Sequence, residues 1–221
     1  MNVVMILSVI NTVAKNLSYC PIRSVYKPEE RYEQTLKTIE SVKKYIPNAH
    51  IVLIECSKLN QEMETGFINT VNLYLNYSSD PSIQNAVDGI HKSYAEGLTI
   101  LKFLESEEFK NLQVDNLFKL SGRYYLTDMF KLNEYSNTQN CFRRFSYQGS
   151  NVGRYFSVLY KIYKTSLEEY KNMFKTSIME TVNVNMDMEA FLCSHMKKNI
   201  KLLDHLGFEG NIAVNGALII H

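Results

Sequence analysis

The sequence predicts an α/β fold in which a mainly parallel sheet is flanked by helices and followed by a smaller, β-containing second half. Three observations carry that expectation. Val3 to Ile10 is a β-branched, apolar run, too short for a helix and followed by polar Asn11 and Thr12, which reads as a buried strand. A helix over 28–46 and the strand His50 to Glu55 complete a β-helix-β unit within the first 55 residues, the opening of a parallel sheet. Leu117 to Leu120 is a third apolar strand, and it runs directly into Ser121-Gly122-Arg123. Strands of such sheets present ligand-binding groups at their carboxyl ends.

The remaining elements follow in order. Pro28-Glu29-Glu30 opens the first helix, with proline set for the first turn and acids at the positive end of the dipole. Leu36, Ile39, Val42 and Ile46 give it an apolar face, and Pro47-Asn48 ends it. Residues 59–77 read as helical up to the break at Ser78-Ser79-Asp80-Pro81. A long helix spans 83–104, interrupted near Gly89. In the second half, Phe142 to Phe145 and Tyr155 to Tyr163 read as β segments around the turn from Gly149 to Gly153. Helices are expected over 167–174 and 186–198, and short strands over 200–220, where Gly207, Gly210 and Gly216 punctuate an apolar stretch. No repeat or linker divides the chain, so one domain, 1–221, is the expectation.

Composition narrows the function. A net charge of +1 without a basic block argues against non-specific nucleic-acid binding. No run approaches the roughly 20 apolar residues of a membrane span. The first ten residues lack the basic start and cleavage site of a signal peptide. Cys20, Cys56, Cys141 and Cys193 are widely spaced, with no zinc pattern, which suits reduced thiols in the cytoplasm.

Gly122 permits close backbone approach, and Arg123 offers a charged fork for phosphate or carboxylate. The plainer alternative is a turn whose arginine is solvated or paired to an acid such as Asp128. Arg23, Lys27 and Arg31 form a second basic group in the crevice after the first strand. Arg143 and Arg144 alternate with Phe142 and Phe145, so one is expected to face solvent and the other a cleft.

The stretch Arg23-Ser24-Val25-Tyr26-Lys27-Pro28-Glu29-Glu30-Arg31, continuing to Ser41, is followed by Ile46-Pro47-Asn48 and by a strand ending Glu55-Cys56-Ser57. Together with Ser121-Gly122-Arg123-Tyr124 and the closing Leu206-Gly207-Phe208-Glu209-Gly210-Asn211, it resembles glycosyltransferase-like proteins of large DNA viruses and some bacteria. The resemblance covers nearly the whole chain. It implies an A-type glycosyltransferase fold, with a Rossmann-like sheet that binds a nucleotide-sugar donor through residues 1–125. A glycan or other hydroxyl acceptor would be bound by 126–221.

On that footing Ser8 and Asn11 are candidates for the base or ribose, Lys92 for phosphate, and His91, Glu96 and Asp128 for sugar hydroxyls. Each has a plainer alternative; Lys92 and Glu96, for instance, can form a surface pair on one helix face. Asp187 and Glu189 are the candidate general bases, with Glu180 a rival. Their side chains would diverge by about 200° on a helix. Enzymes of this fold usually carry Asp-x-Asp, which holds manganese or magnesium, where Ser121-Gly122-Arg123 stands here. Metal dependence is therefore left open, and the cofactor unknown. The alternatives are a nucleotidyltransferase, disfavoured because no Gly-rich phosphate loop follows the first strand, and a catalytically silent nucleotide-sugar or glycan-binding module.

Overall fold

The computed structural model describes residues 1–135 and 137–221. In chain order the elements are β1 (Asn2–Ser8), α1 (Pro28–Tyr45), β2 (His50–Glu55), α2 (Gln61–Ile68), β3 (Leu73–Asn76), α3 (Pro81–Val87), α4 (Lys92–Glu105), α5 (Glu107–Lys110) and β4 (Asn116–Ser121). They continue with β5 (Tyr124–Leu126), β6 (Asn140–Phe142), β7 (Arg144–Phe145), β8 (Arg154–Tyr155), β9 (Leu159–Tyr163) and α6 (Leu167–Ser177). The chain closes with α7 (Glu180–Asn183), α8 (Met188–His195), β10 (Ile200–Leu202), β11 (Phe208–Asn211) and β12 (Leu218–Ile220).

Among the described residues a seven-stranded sheet has the order β10-β6-β9-β4-β1-β2-β3, a three-stranded sheet has the order β12-β11-β5, and β7 pairs with β8. Strands β1 to β4 run parallel, and β9 is antiparallel to its neighbours β4 and β6. The chain steps outward from β1 through β2 to β3, then returns to the other side of β1 as β4. That reversal makes the carboxyl ends of β1 and β4 a topological switch point, where such sheets bind ligands.

Both faces of the large sheet are covered, which is why its central strands are nearly all apolar. Val3, Met5 and Leu117 pack on one side with Ile100 and Phe103 of α4, Phe174 of α6 and Phe191 of α8. Val4, Ile6, Phe118 and Leu120 pack on the other with Ile39 and Val42 of α1, Phe67 of α2, and Tyr124 and Phe208 of the small sheet. Helix α1 starts as its sequence dictates: Lys27 N–H donates to Glu30 Oε2 at 2.8 Å ahead of Pro28, and Lys43 and Lys44 sit at its negative end.

One element departs from expectation. The helix expected over 59–77 stops at Ile68, and Leu73–Asn76 becomes the edge strand β3 beside β2. Asn72 exchanges hydrogen bonds with Ile51, its N–H donating to the carbonyl and its Oδ1 accepting from the Ile51 N–H. Leu73 and Leu75 then face one core and Tyr74 the other, a two-residue period inside what reads as a helical one. The expected 83–104 helix is α3 and α4, with Gly89 in the turn between them. The expected 186–198 helix is confined to Met188–His195. Arg144 is exposed, while Arg143 is half-buried with Nη1 2.5 Å from His221 Nδ1.

Candidate functional site

At the switch point two backbones meet closely. Leu7 and Ser121 are register partners, and Gly122 N–H donates to the Leu7 carbonyl at 2.9 Å. A Cβ on Gly122 would stand 3.0 Å from that carbonyl oxygen and 3.2 Å from Thr35 Oγ1, so a side chain here would crowd the approach of the two backbones. Above this floor lies a cavity of about 140 Å³. Ser8 of β1, Arg31 and Thr35 of α1, Lys92 and Glu96 of α4, and Ser121 to Arg123 wall it. The loop between β1 and α1 adds Leu17 and Arg23, and the segment after β11 adds Ala213.

Three cations converge on this space. Arg31 is buried; its Nε donates to the Val9 carbonyl at 2.7 Å and its Nη1 to Ser24 Oγ at 3.2 Å. Arg123 Nη1 donates to the Asn211 carbonyl at 2.5 Å, with its guanidinium over the Tyr124 ring. Both guanidinium groups are thus anchored on neutral oxygens. Lys92 borders the cavity and is exposed at its surface, with many protein atoms packed around its ammonium. Burial pushes its ammonium down to about 8, with the Arg123 charge adding to the effect and Glu96 and Glu189 opposing it. Burial and Arg123 likewise weaken the hold of Arg31 on its proton, although a guanidinium stays charged near neutrality. Cations that burden one another in a concave site make a site for an anion.

Glu96 is the carboxylate of the wall, and a chain of contacts runs from it to Glu189 of α8. Glu96 Oε1 lies 2.5 Å from Nζ of Lys119, which is 1% exposed. The same ammonium donates to Ser121 Oγ at 2.9 Å and to the Ser157 carbonyl at 2.6 Å. Ser157 Oγ in turn donates to Glu189 Oε1 at 2.5 Å. Burial pushes the Glu189 carboxyl up, and the Ser157 hydrogen bond works against that rise.

The expected site residues divide accordingly. Ser8, Arg23, Lys92, Glu96, Ser121, Gly122 and Arg123 border the cavity. Arg23, however, is a strap: its guanidinium donates to the carbonyls of Lys15, Val87 and Gly89, fastening the loop after β1 to the α3–α4 turn. Asn11 turns away from the cavity, its Nδ2 donating to the Lys58 carbonyl and its N–H to Ser57 Oγ. His91 is the residue before α4 and Tyr124 packs edge-on against Phe208; neither is in the cavity wall.

Asp128 is exposed beyond β5, near Lys44 at the far end of α1, so its geometry excludes it from the cavity. Asp187 caps α8, accepting from Ala190 N–H at 2.6 Å through Oδ1 and pairing with Arg154 at 2.9 Å through Oδ2. Each of its oxygens thus already accepts one hydrogen bond. Glu180 pairs with His195 at 3.0 Å.

Arg31, expected in the basic group after the first strand, is buried there, while two further contributors were not among the expected site residues. Lys119 carries a signal, a charge inside the apolar strand Leu117 to Leu120. Ser157 carries none.

No family model matches the sequence, and no curated protein matches it. Solved structures share the fold. The glycosyltransferase GlyE of Streptococcus pneumoniae TIGR4 superposes with a TM-score of 0.53 at 14% identity, over 91% of this chain and 45% of that one. A glycosyltransferase involved in the glycosylation of the major capsid of PBCV-1 gives 0.50 at 12% identity, over 92% and 81%. The galactosyltransferase LgtC, in complex with donor and acceptor sugar analogs, gives 0.53 at 13%, over 91% and 73%. The chain thus spans 45% of the length of GlyE. The fold is that of the A-type glycosyltransferases.

No Asp-x-Asp stands at the end of β4, where Ser121 and Arg123 border the cavity with Lys92. Glu96, the carboxylate of the cavity wall, is held by Lys119. Among the described residues no group of three or more His, Cys, Asp or Glu could hold a metal ion. This donor set does not fit a divalent cation, which takes oxygen ligands.

Proposed function

We propose that the protein is a glycosyltransferase that moves a sugar from a nucleoside-diphosphate donor to a hydroxyl acceptor, with residues 1–125 serving the donor and 126–221 the acceptor. The observation that carries this reading is the group Arg31, Arg123 and Lys92 around one cavity at the β1–β4 switch point, with both arginines anchored on neutral oxygens. A diphosphate is the anion that suits such a cluster.

Its charge grows as the sugar leaves, and preorganised cations stabilise that developing charge most in the transition state. Arg123 and Lys92 face the leaving diphosphate, and Gly122 lets it approach the backbone. Ser8 and Thr35 offer hydroxyls at the floor, and Glu96 and Ser121 offer polar groups to the sugar. Glu189 is the general base of an inverting transfer. The acceptor oxygen bonds to the anomeric carbon, the carbon–oxygen bond to the diphosphate breaks with its electron pair left on the phosphate, and the acceptor proton passes to Glu189.

A panel of nucleoside-diphosphate sugars tests the reading. A true donor raises Tm by binding the native state and is then consumed, with or without a chelator. Binding of a donor without hydrolysis or transfer would instead identify a silent binding module, a reading that the missing Asp-x-Asp favours. Activity lost in chelator and restored by manganese would overturn the cation-based account of the diphosphate site.

A further inference from the structure

The one charge in the apolar run of β4 has a second role. Lys119 lies in mid-sheet between its register partners Met5 and Tyr160, and its stem crosses the core on their face. A methionine would fill the same volume with no charge to desolvate, and buried charges are stable only when fully paired. Here the charge is paired: the ammonium stands 2.5 Å from Glu96 Oε1 as an ion pair, and it donates to Ser121 Oγ and to the Ser157 carbonyl at 2.9 and 2.6 Å. These belong to α4, to the end of β4 and to the segment between β8 and β9. Ser157 then extends the network by donating its hydroxyl to Glu189 on α8.

Resting on the transferase reading above, we propose that Lys119 is a positioning residue. Its ammonium fixes Glu96 in the wall of the donor cavity and, through the Ser157 peptide, fixes the Glu189 carboxylate against the acceptor. One buried charge thereby sets the donor and acceptor sides of the reaction in register. Catalytic geometry is sensitive to such support, since a displacement of about 1 Å can cost roughly 10²-fold in rate.

The groups facing Glu189 are Glu96 and Lys92 of α4, Tyr19 of the loop after β1, Tyr124 of β5 and Tyr147 of the loop after β7, besides Asp187 on its own helix. Burial and the two acids raise its proton affinity, and the Ser157 hydroxyl lowers it. Loss of that hydroxyl contact therefore moves the Glu189 titration to higher pH. The acid limb of the rate profile, below which the base is protonated, moves with it.

Lys119→Met, Lys119→Arg and Ser157→Ala test the assignment against wild type by two readouts. In steady-state kinetics, Lys119→Met should lower kcat by about 10²-fold while donor KM changes little, and the acid limb should shift upward. In the unliganded protein, NMR titration of the Glu189 carboxyl should move upward in both Lys119→Met and Ser157→Ala. Lys119→Arg, which keeps the charge, should restore part of kcat. If Lys119→Met does not fold, Ser157→Ala carries the test, and a Glu189 titration unmoved by that change overturns the relay. Wild-type kcat and an unmoved acid limb in folded Lys119→Met overturn the positioning role. A wild-type protein that transfers no sugar defeats the transferase reading alone, because the carboxyl titration still decides whether Lys119 and Ser157 set the state of Glu189.

Discussion

The cavity, proposed as the donor side, and the start of α8, proposed as the acceptor side, hold partly buried charge in opposite ways. On the donor side Arg31 and Arg123 hydrogen-bond to the carbonyls of Val9 and Asn211, so their geometry is fixed and their charge is not cancelled. On the acceptor side Asp187 is neutralised by Arg154, and Glu189 is held by a neutral hydroxyl. The partner, more than the residue type, separates a functional charge from a structural one. Arg23, also on the cavity wall, differs in number of anchors: three of its five N–H groups go to carbonyls and tie the loop after β1 to the α3–α4 turn.

The sharpest way to break the comparison is at the base. Glu189→Gln should lower turnover by about 10²–10⁴-fold with donor affinity nearly intact in calorimetry. Wild-type turnover would remove the assignment. Next in size, Arg123→Ala should weaken donor binding by about 1.5–3 kcal/mol. Arg23→Ala, by contrast, should lower thermal stability first. Equal losses of affinity in the two variants would show that the strap and the anion ligand are not distinct.

A smaller effect follows from Lys92. Its ammonium gives up a proton as pH rises through about 8, so the empty cavity then loses one positive charge. Donor affinity should fall over that interval, by no more than about tenfold per pH unit. Binding above it should take up a proton, detectable as a buffer-dependent enthalpy. Lys92→Met should flatten the profile. The smallest change is expected from Asp187→Ala, which removes the α8 cap and should cost about 1 kcal/mol of stability in denaturant titration, with turnover reduced only through the neighbouring Glu189. A loss of turnover as large as that of Glu189→Gln would make Asp187 a participant after all.

The parallel half of the fold was legible because its strands are buried on both faces and its helices are bounded by proline, glycine and paired charges. The edge strand β3 was not, since Leu73-Tyr74-Leu75 alternates for too short a span to be told from a helical face without its partner β2 in view. The floor of the cavity could be read from Ser121-Gly122-Arg123, because a glycine turn at the end of a buried strand lets two backbones meet closely. Pairings across long sequence distances could not. Nothing local says that Asp187 will be claimed by Arg154, that Asn11 will turn toward Lys58, or that Ser157 will meet Glu189.

The anchoring of Arg31 and Arg123 on backbone oxygens also bears on how this chain tolerates change. Every residue has a carbonyl, so substitutions at Val9 and Asn211 leave the acceptor in place provided the backbone path is kept. A saturation scan should find sharper intolerance at Arg31 and Arg123 than at Val9, which packs on the core, and Asn211, whose Nδ2 also donates to the Gly216 carbonyl. The cationic site is in this sense insulated from drift in its surroundings, with its vulnerability concentrated in the arginines themselves.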